Sequence, residues 1–310
     1  MQDGSVNREG LAYRDCVICG CGRYKVVRSI VISPLFVPSS LARCAGCGFF
    51  YANPRLSREE EEEYYKKRYH EIQEDGYWYK TRIDLFKRAM NLITKHASGR
   101  RLIDIGCGMG FFMDLARQKG WEAKGVEISE SAFRHATENL RLDVRRGSLE
   151  DAGFEAGYFD VATMWNVLDQ IYDPRALLVE TSRILKEGGY LFLRVSNLAF
   201  HLLLAKTLDL LRPVVKIDIS SISVFHLYSF DKNSIKKLLE VTGFSDVKVK
   251  TEPMDVNVPC FAGIFGKGEK ASRRIFNAAG KIMSALTFGK LMLTPSIFVM
   301  ARKKEKEAGW

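Results

Sequence analysis

Residues 101 to 112 read RLIDIGCGMGFF: an apolar run carrying one acid, three glycines in five positions, then another apolar run. A chain passes from a buried strand into a helix across so short a segment only through backbone conformations that a Cβ resists, and glycine takes them freely. In α/β domains this first strand-to-helix turn is where a nucleotide-like ligand is cradled. The pattern is not a dinucleotide fingerprint, which needs glycine where this chain has Phe111, and no Gly-Lys-Ser/Thr Walker sequence follows. Asp104 at the strand end is a poor neighbour for a pyrophosphate and suits a ligand with positive charge.

The segments that follow alternate strand and helix patterns. RLIDIG, WEAKGVEI, LDVRRG, YFDVATMW and YLFLRVS read as strands. Between them FFMDLARQKG reads as a helix stopped by Gly120, SESAFRHATENL as one capped by Ser129, and DPRALLVETSRILKEGG as one with Pro174 in its first turn and Gly188 at its end. After a break of about thirty-five residues, DKNSIKKLLEVTGF resumes as a helix, SDVKVK as a sixth strand and SIFVMARKK as a last one. The fold class is α/β: a mostly parallel, doubly wound, Rossmann-like sheet of seven strands. Residues 197–230 read as an insertion over the strand ends, and residues 268–290 as a basic amphipathic helix.

S-Adenosylmethionine has the character that Asp104 asks for: an ammonium and a sulfonium, with no phosphate. Glu127, about twenty positions on and at the end of the second strand, is placed to accept hydrogen bonds from both ribose hydroxyls. The ordered series LIDIGCGMG, GVEIS, GSLED, FDVATMWNVLDQIYDP and RILKEGGYLFLRVSN resembles the class I S-adenosylmethionine-dependent methyltransferases over residues 98 to 250. The resemblance implies that Asp104, Gly106, Gly108 and Gly110 hold the methionine part and Glu127 with Ile128 the ribose. It implies that Ser148 and Leu149 lie beside adenine and that Asn166 faces the transfer cleft. Ser148 stands where the family often has Asp, so Glu150 or Asp151 is the alternative contact to the adenine amino group. Asp169-Gln170 stands where many relatives have Glu-His.

Five of the seven cysteines precede residue 50. Cys16-x2-Cys19 and Cys44-x2-Cys47, each followed by a glycine, have the spacing of a structural four-thiolate zinc site. Cys21 is a spare that could compete with Cys19, and buried or disulfide-bonded cysteines are the alternative. Residues 1–52 thus form a small N-terminal zinc-ribbon module, 53–100 a helical linker that covers the cofactor, and 101–310 the Rossmann-like domain. The module with CGFFYANPRLSREEEEEYYKKRYH and HLYSFDKNSIKKLLEVTGF resembles a subset of the family with an N-terminal zinc ribbon, linked to polysaccharide, lipid or other small-molecule biosynthesis. In the linker, Ser57 is the expected N-cap and the run Glu59 to Glu63 a solvated helix start. Ile83, Phe86, Met90 and Ile93 mark a second helix, and Tyr69 and Arg82 are cofactor-contact candidates.

The formal charge is +10, and residues 252–310 carry ten Lys or Arg against five Asp or Glu. That excess points to lipid headgroups, a phosphorylated substrate or RNA, or to a solvated basic face. No apolar stretch is free enough of charge to span a bilayer, and no secretory signal opens the chain, so a cytoplasmic location is expected, with the 268–290 helix as a peripheral membrane contact or a lid.

The leading expectation is methyl transfer to a small-molecule, sugar- or lipid-linked acceptor, at oxygen before carbon. His226 in FHLYSF and Asp169 are the candidate bases, with structural roles for both as the alternative. An RNA methyltransferase is a second reading. Against it stand NVLD in place of an Asn/Asp-Pro-Pro-aromatic turn, and a zinc module only mildly basic, with six Lys or Arg against three Asp or Glu over residues 1–50. A non-enzymatic scaffold is the third.

Overall fold

The computed structural model describes residues 11–32, 37–67, 77–211, 225–252 and 294–305, with residues 278 and 287 singly. Its first part holds β1 (Leu11–Ala12), β2 (Tyr24–Ile32), β3 (Val37–Cys44), β4 (Phe50–Ala52) and β5 (Arg55–Leu56), followed by helices α1 (Arg58–Lys67) and α2 (Tyr77–His96). Ser57 starts α1 with a capping box: its hydroxyl accepts from the Glu60 amide at 3.3 Å, and the Glu60 carboxylate accepts from the Ser57 amide at 3.0 Å. Helix α2 buries Leu85, Phe86, Ala89, Met90 and Ile93 against Phe112, Trp165, Phe192 and Phe298. That apolar face is the one the helical spacing marks out, with Ile83 only half-buried at its edge.

The second part follows the expected alternation: β6 (Arg101–Ile105), α3 (Phe111–Gln118), β7 (Glu122–Glu127), α4 (Glu130–Arg134) running into a π-helical turn (His135–Asn139), β8 (Asp143–Arg146), β9 (Phe159–Trp165), α5 (Pro174–Ile184) and β10 (Leu185–Ser196). Then come α6 (Leu198–Leu211), β11 (Tyr228–Ser229), α7 (Lys232–Val241), β12 (Phe244–Glu252) and β13 (Ser296–Lys303). The large sheet has seven strands in the order β12-β13-β10-β9-β6-β7-β8. Strands β8, β7, β6, β9 and β10 are parallel, and β13 runs antiparallel between β10 and β12. All seven side chains of β9 are buried, as in a strand covered on both faces.

One boundary differs from expectation. Helix α5 stops at Ile184 because Leu185 already pairs with Phe159, and Gly188, with φ +72°, falls in the register shift between Leu185 and Tyr190 rather than at the helix end. Apart from residues 278 and 287, the segment 268–290 expected as a helix lies outside the described residues, as do Tyr69 and residues 212–224 of the insertion. Among the described residues no helix is long and apolar enough to cross a membrane.

The N-terminal sheet is completed from elsewhere in the chain. Its order is β11-β4-β3-β2, so Tyr228 and Ser229, from the end of the insertion, pair with Tyr51 and Phe50. Phe49 stacks on Tyr51 and Tyr228 at ring separations of 6.1 Å and tilts against Phe230 at 5.3 Å. One apolar core runs from Cys16 and Ile30 through these rings to Val195 and Leu238. Two parts that share a strand pairing and a core unfold together, so calorimetry is expected to show a single transition. Truncating Phe49 to alanine should cost about 3–5 kcal/mol and shift that whole transition. A separate early melt of the N-terminal part would contradict the shared core.

Candidate active site

Strand β6 ends at Ile105 and helix α3 begins at Phe111, and the turn between them holds Gly106, Gly108 and Gly110 at φ +65°, +55° and +84°. The three glycines are needed for different reasons. A Cβ at Gly106 would come 2.6 Å from Val167 Cγ2, and one at Gly110 would come 2.5 Å from Leu142 and 3.0 Å from Ala136. At Gly108 a Cβ would meet nothing within 4 Å. Gly106 and Gly110 therefore serve close packing, and Gly108 faces open space.

That space is a cavity of about 520 Å³, within the usual range for small-molecule sites. It brings together Asp104, Gly106, Gly108, Glu127, Ile128, Ser148, Leu149 and Asn166 from the sequence-derived set. Gly110 is not in its wall: it caps α3 under the π-helical turn, so its contribution is to the path of the loop. Asn166 holds φ +60°, its side-chain oxygen accepts from Arg194, and its carbonyl accepts from Gln170 at 2.9 Å. Ser148 donates to Asp151 at 2.7 Å, and of the two alternative acids Glu150 is in the cavity wall and Asp151 is not.

Two buried carboxylates anchor the cradle. Glu127 accepts from the Gly108 amide at 2.7 Å and from the Ser129 amide at 2.9 Å, clamping the glycine turn to the end of β7. Burial pushes its carboxyl up from the usual range, and the backbone donors of Ser129, Gly108 and Ile128 oppose that shift. Asp104 is fully buried and accepts from Thr163 at 2.7 Å, while its second oxygen has no hydrogen-bond partner. Burial first, and then the charge of Glu127, push it from 3.8 up to about 8, with the Thr163 hydroxyl working the other way. A buried acid with an orphaned oxygen fits a cationic ligand, because a bound positive charge would supply the missing partner.

The opposite wall comes from the N-terminal part. Arg58, Glu61 and Glu62 on α1 and Arg82 and Phe86 on α2 line the cavity, together with Trp165 and Tyr172. Arg82, a cofactor-contact candidate from the sequence, is thus part of the cavity wall. Glu61 does not fit the reading of Glu59 to Glu63 as solvated: Glu59, Glu60 and Glu63 are exposed, but Glu61 is 2% exposed. Five consecutive helical residues sweep more than one turn, so a packed helix must turn one of them inward.

Asp169 and His226 need a correction. Neither lines the cavity. Asp169 is fully buried and accepts from the Ser196 amide at 2.9 Å, and its Oδ2 lies 3.8 Å from His226 Nε2. The Tyr228 amide donates to the Asp169 carbonyl at 3.1 Å. The pair ties the return of the insertion to the sheet and does not present a base to a ligand. Behind it, His201 is buried and pushed down to about 4, chiefly by burial and then by His226. Sequence reasoning also passed over Thr163, the partner of Asp104, although a hydroxyl inside the otherwise apolar YFDVATMW was a visible signal.

At the other end of the N-terminal sheet, the sulfurs of Cys16, Cys19, Cys44 and Cys47 all lie within 4.8 Å of one another. Cys16 and Cys47 are 3.5 Å apart and Cys19 and Cys44 3.6 Å apart. A tetrahedral Zn–S distance of about 2.3 Å places ligand sulfurs about 3.8 Å apart, so the donor set and spacing fit that ion. The hooks are closed by Gly20 and Gly48 amides donating to the Cys16 and Cys44 carbonyls, and the Gly46 amide points at Cys44 Sγ. Cys21 stands outside the cluster, with its thiol donating to the Arg23 carbonyl.

A seven-stranded sheet with one antiparallel strand next to its edge, and an acid-glycine turn after its first central strand, define a class I S-adenosylmethionine-dependent methyltransferase fold. Residues 77–249, more than half of the chain, match the methyltransferase domain family, and the chain belongs to that family. It is similar to the ubiquinone biosynthesis O-methyltransferase of Methylococcus capsulatus, 32% identical over 116 residues, which are 35% of this chain and 49% of that one. The Stutzerimonas stutzeri enzyme of the same name matches at 32% over 116 residues, 35% of this chain and 50% of the relative. This chain spans about half the length of the curated relatives it matches. Among solved structures, a chain from the Haloferax volcanii complex of the Trm112 methyltransferase activator superposes with a TM-score of 0.52 at 16% identity, covering 79% of this chain and 98% of that one. Identity that low carries the fold alone.

The position of Asp104 has a consequence for stability. From about pH 4 upward the unfolded chain gives up this proton, whereas the folded chain keeps it until about 8. The group therefore costs stability as pH rises through that window. Asp104→Asn, which keeps an acceptor for Thr163, should gain stability over the wild type as pH is raised from 5 to 8, measured by urea unfolding without ligand. A difference independent of pH would show that Asp104 is ionised in the folded protein.

Proposed function

We propose that the protein is an S-adenosylmethionine-dependent O-methyltransferase acting on a hydroxyl of a small-molecule or lipid-linked acceptor with an apolar or aromatic body. The observation that carries this reading is one continuous cavity. Its wall carries the glycine turn, Asp104 and Glu127 together with the rings of Phe86, Trp165 and Tyr172. The acids suit the ammonium and ribose of the cofactor, and Leu149 offers an apolar face to adenine. The rings suit an apolar acceptor brought up to the sulfonium methyl. That methyl is already activated, so the protein's tasks are to orient the acceptor and to exclude water. The names of the curated relatives favour oxygen as the methylated atom.

A concave cavity lined by Phe86, Trp165 and Tyr172 also favours a small acceptor over RNA, whose recognition calls for a basic surface open to the backbone. We further propose that the four thiols hold a structural zinc ion. With four ligands there is no open position, so the ion takes no part in the transfer.

Isothermal titration with S-adenosylhomocysteine tests the cofactor site. Micromolar binding is expected, and Gly108→Val should abolish it: the added side chain enters the cavity without meeting a neighbour, and because it also strains a left-handed backbone position, circular dichroism is used to check that the variant is folded. Normal binding by that variant would mean that the cofactor lies elsewhere; absence of binding by the wild type would favour a scaffold. Elemental analysis is expected to find one zinc per chain, lost in Cys19→Ser and kept in Cys21→Ser. Loss of metal from the Cys21 variant would reassign the fourth ligand.

A further inference from the structure

Glu61 is a buried acid that the cofactor cradle does not use. It sits on α1 in the wall of the same cavity, and both of its carboxyl oxygens lack a hydrogen-bond partner. Its nearest cation is Arg55, with Nε 3.8 Å from Oε1, too far for a hydrogen bond. Arg55 is itself committed to another partner: Nη2 donates to the Tyr172 carbonyl at 2.7 Å, and the guanidinium lies over the rings of Tyr172 and Tyr228 at 4.8 and 4.9 Å. A buried carboxyl left without donors costs stability, and such a cost persists where a ligand supplies the donor.

We propose that Glu61 is the general base of the transfer, taking the proton of the acceptor hydroxyl; this rests on the O-methylation reading above. Both oxygens are buried, so the assignment requires the Glu61 side chain to rotate into the cavity when the acceptor binds. The O–H bond breaks and its proton goes to Glu61. The freed oxygen pair attacks the sulfonium methyl, and the C–S bond breaks with its electrons left on sulfur. The products are a methyl ether, neutral S-adenosylhomocysteine and a protonated Glu61 that returns its proton to solvent.

The surroundings suit that task. Burial, the largest effect, together with Glu60 on the same helix, pushes the Glu61 carboxyl from 4.5 up to about 7, against the pull of Arg55 and Arg14. The Tyr228 phenol, also close enough to feel the charge of Glu61, is itself held protonated by burial. The other charges facing the cavity are Arg58, Glu62 and Arg82 on the two helices, Asp104 and Glu127 at the strand ends, and Glu150 and Asp173 on the loops. A base that ionises near neutral pH combines a populated carboxylate with enough basicity to take a hydroxyl proton. It also fills the place left by Gln170, which cannot act as a base.

The test compares the zinc-loaded full chain with Glu61→Gln, using catechol and 4-hydroxybenzoate as hydroxyl probes at saturating S-adenosylmethionine, with kcat/KM followed across neutral pH. Saturation with cofactor keeps Asp104 and Glu127 out of the comparison, and S-adenosylhomocysteine titration shows whether each protein retains its cofactor site. The wild type is expected to show a rising limb near pH 7. The variant should bind S-adenosylhomocysteine normally, lose that limb and drop about 10²- to 10⁴-fold in kcat/KM. A variant that keeps both rate and limb would overturn the assignment and leave the O-methylation reading standing. A wild type that binds S-adenosylhomocysteine but methylates neither probe would overturn the phenolic acceptor class, and with it the base. If Glu61→Gln fails to bind S-adenosylhomocysteine, Glu61→Asp serves as the second variant. Recovery of the limb at reduced rate is expected of a base, and unaltered wild-type kinetics would contradict it.

Discussion

The chain has five residues in which to leave β6 and enter α3, and the conformation they take decides what the protein can bind. Three left-handed positions in that turn would each be strained with a side chain. The Glu127 carboxylate then fixes the turn from outside by accepting the Gly108 amide, while its other oxygen accepts the amide of Ser129 at the head of α4. One side chain thus sets the loop and the start of the next helix relative to each other. Open space adjoins Gly108, and the packing of Ala136 and Leu142 against Gly110 closes the loop's other flank.

The second half of the site depends on a different part of the chain. The N-terminal sheet borrows β11 from the end of the insertion, and Arg55 reaches across 117 positions of sequence to the Tyr172 carbonyl. Through these contacts the thiol-bearing module places α1, and with it Glu61, against the cavity. The glycine-turn wall of the cavity comes from the doubly wound sheet, while Arg58, Glu61, Glu62, Arg82 and Phe86 of its wall come from the residues before it.

Much of this was legible in the sequence because it rests on local rules. The strands alternate with helices at readable periods, the glycine turn announces itself, and two Cys-x2-Cys hooks state their own geometry. Long-range contacts were not legible. His226 and Asp169 were reasonable bases by type, yet whether they face a ligand depends on how the insertion returns to the sheet, which no local pattern encodes. The pairing of Tyr228 with Tyr51 is of the same kind. Glu61 was hidden by its neighbours, since in a run of five glutamates only the helix phase relative to its packing partner singles one out.

Asp104, Glu127 and Glu61 share one physical condition: burial raises the carboxyls of all three, so the cavity concentrates acids that are reluctant to ionise alone. A cationic ligand relieves that condition. The most direct measurement is a crystal structure of the zinc-loaded protein with S-adenosylhomocysteine at neutral pH. The expected complex has the ribose hydroxyls on Glu127, the amino group against the free oxygen of Asp104, adenine beside Leu149 and the sulfur directed toward the ring-lined wall of the cavity. A ligand bound outside the glycine turn, or one whose sulfur faces away from Trp165 and Glu61, would contradict it.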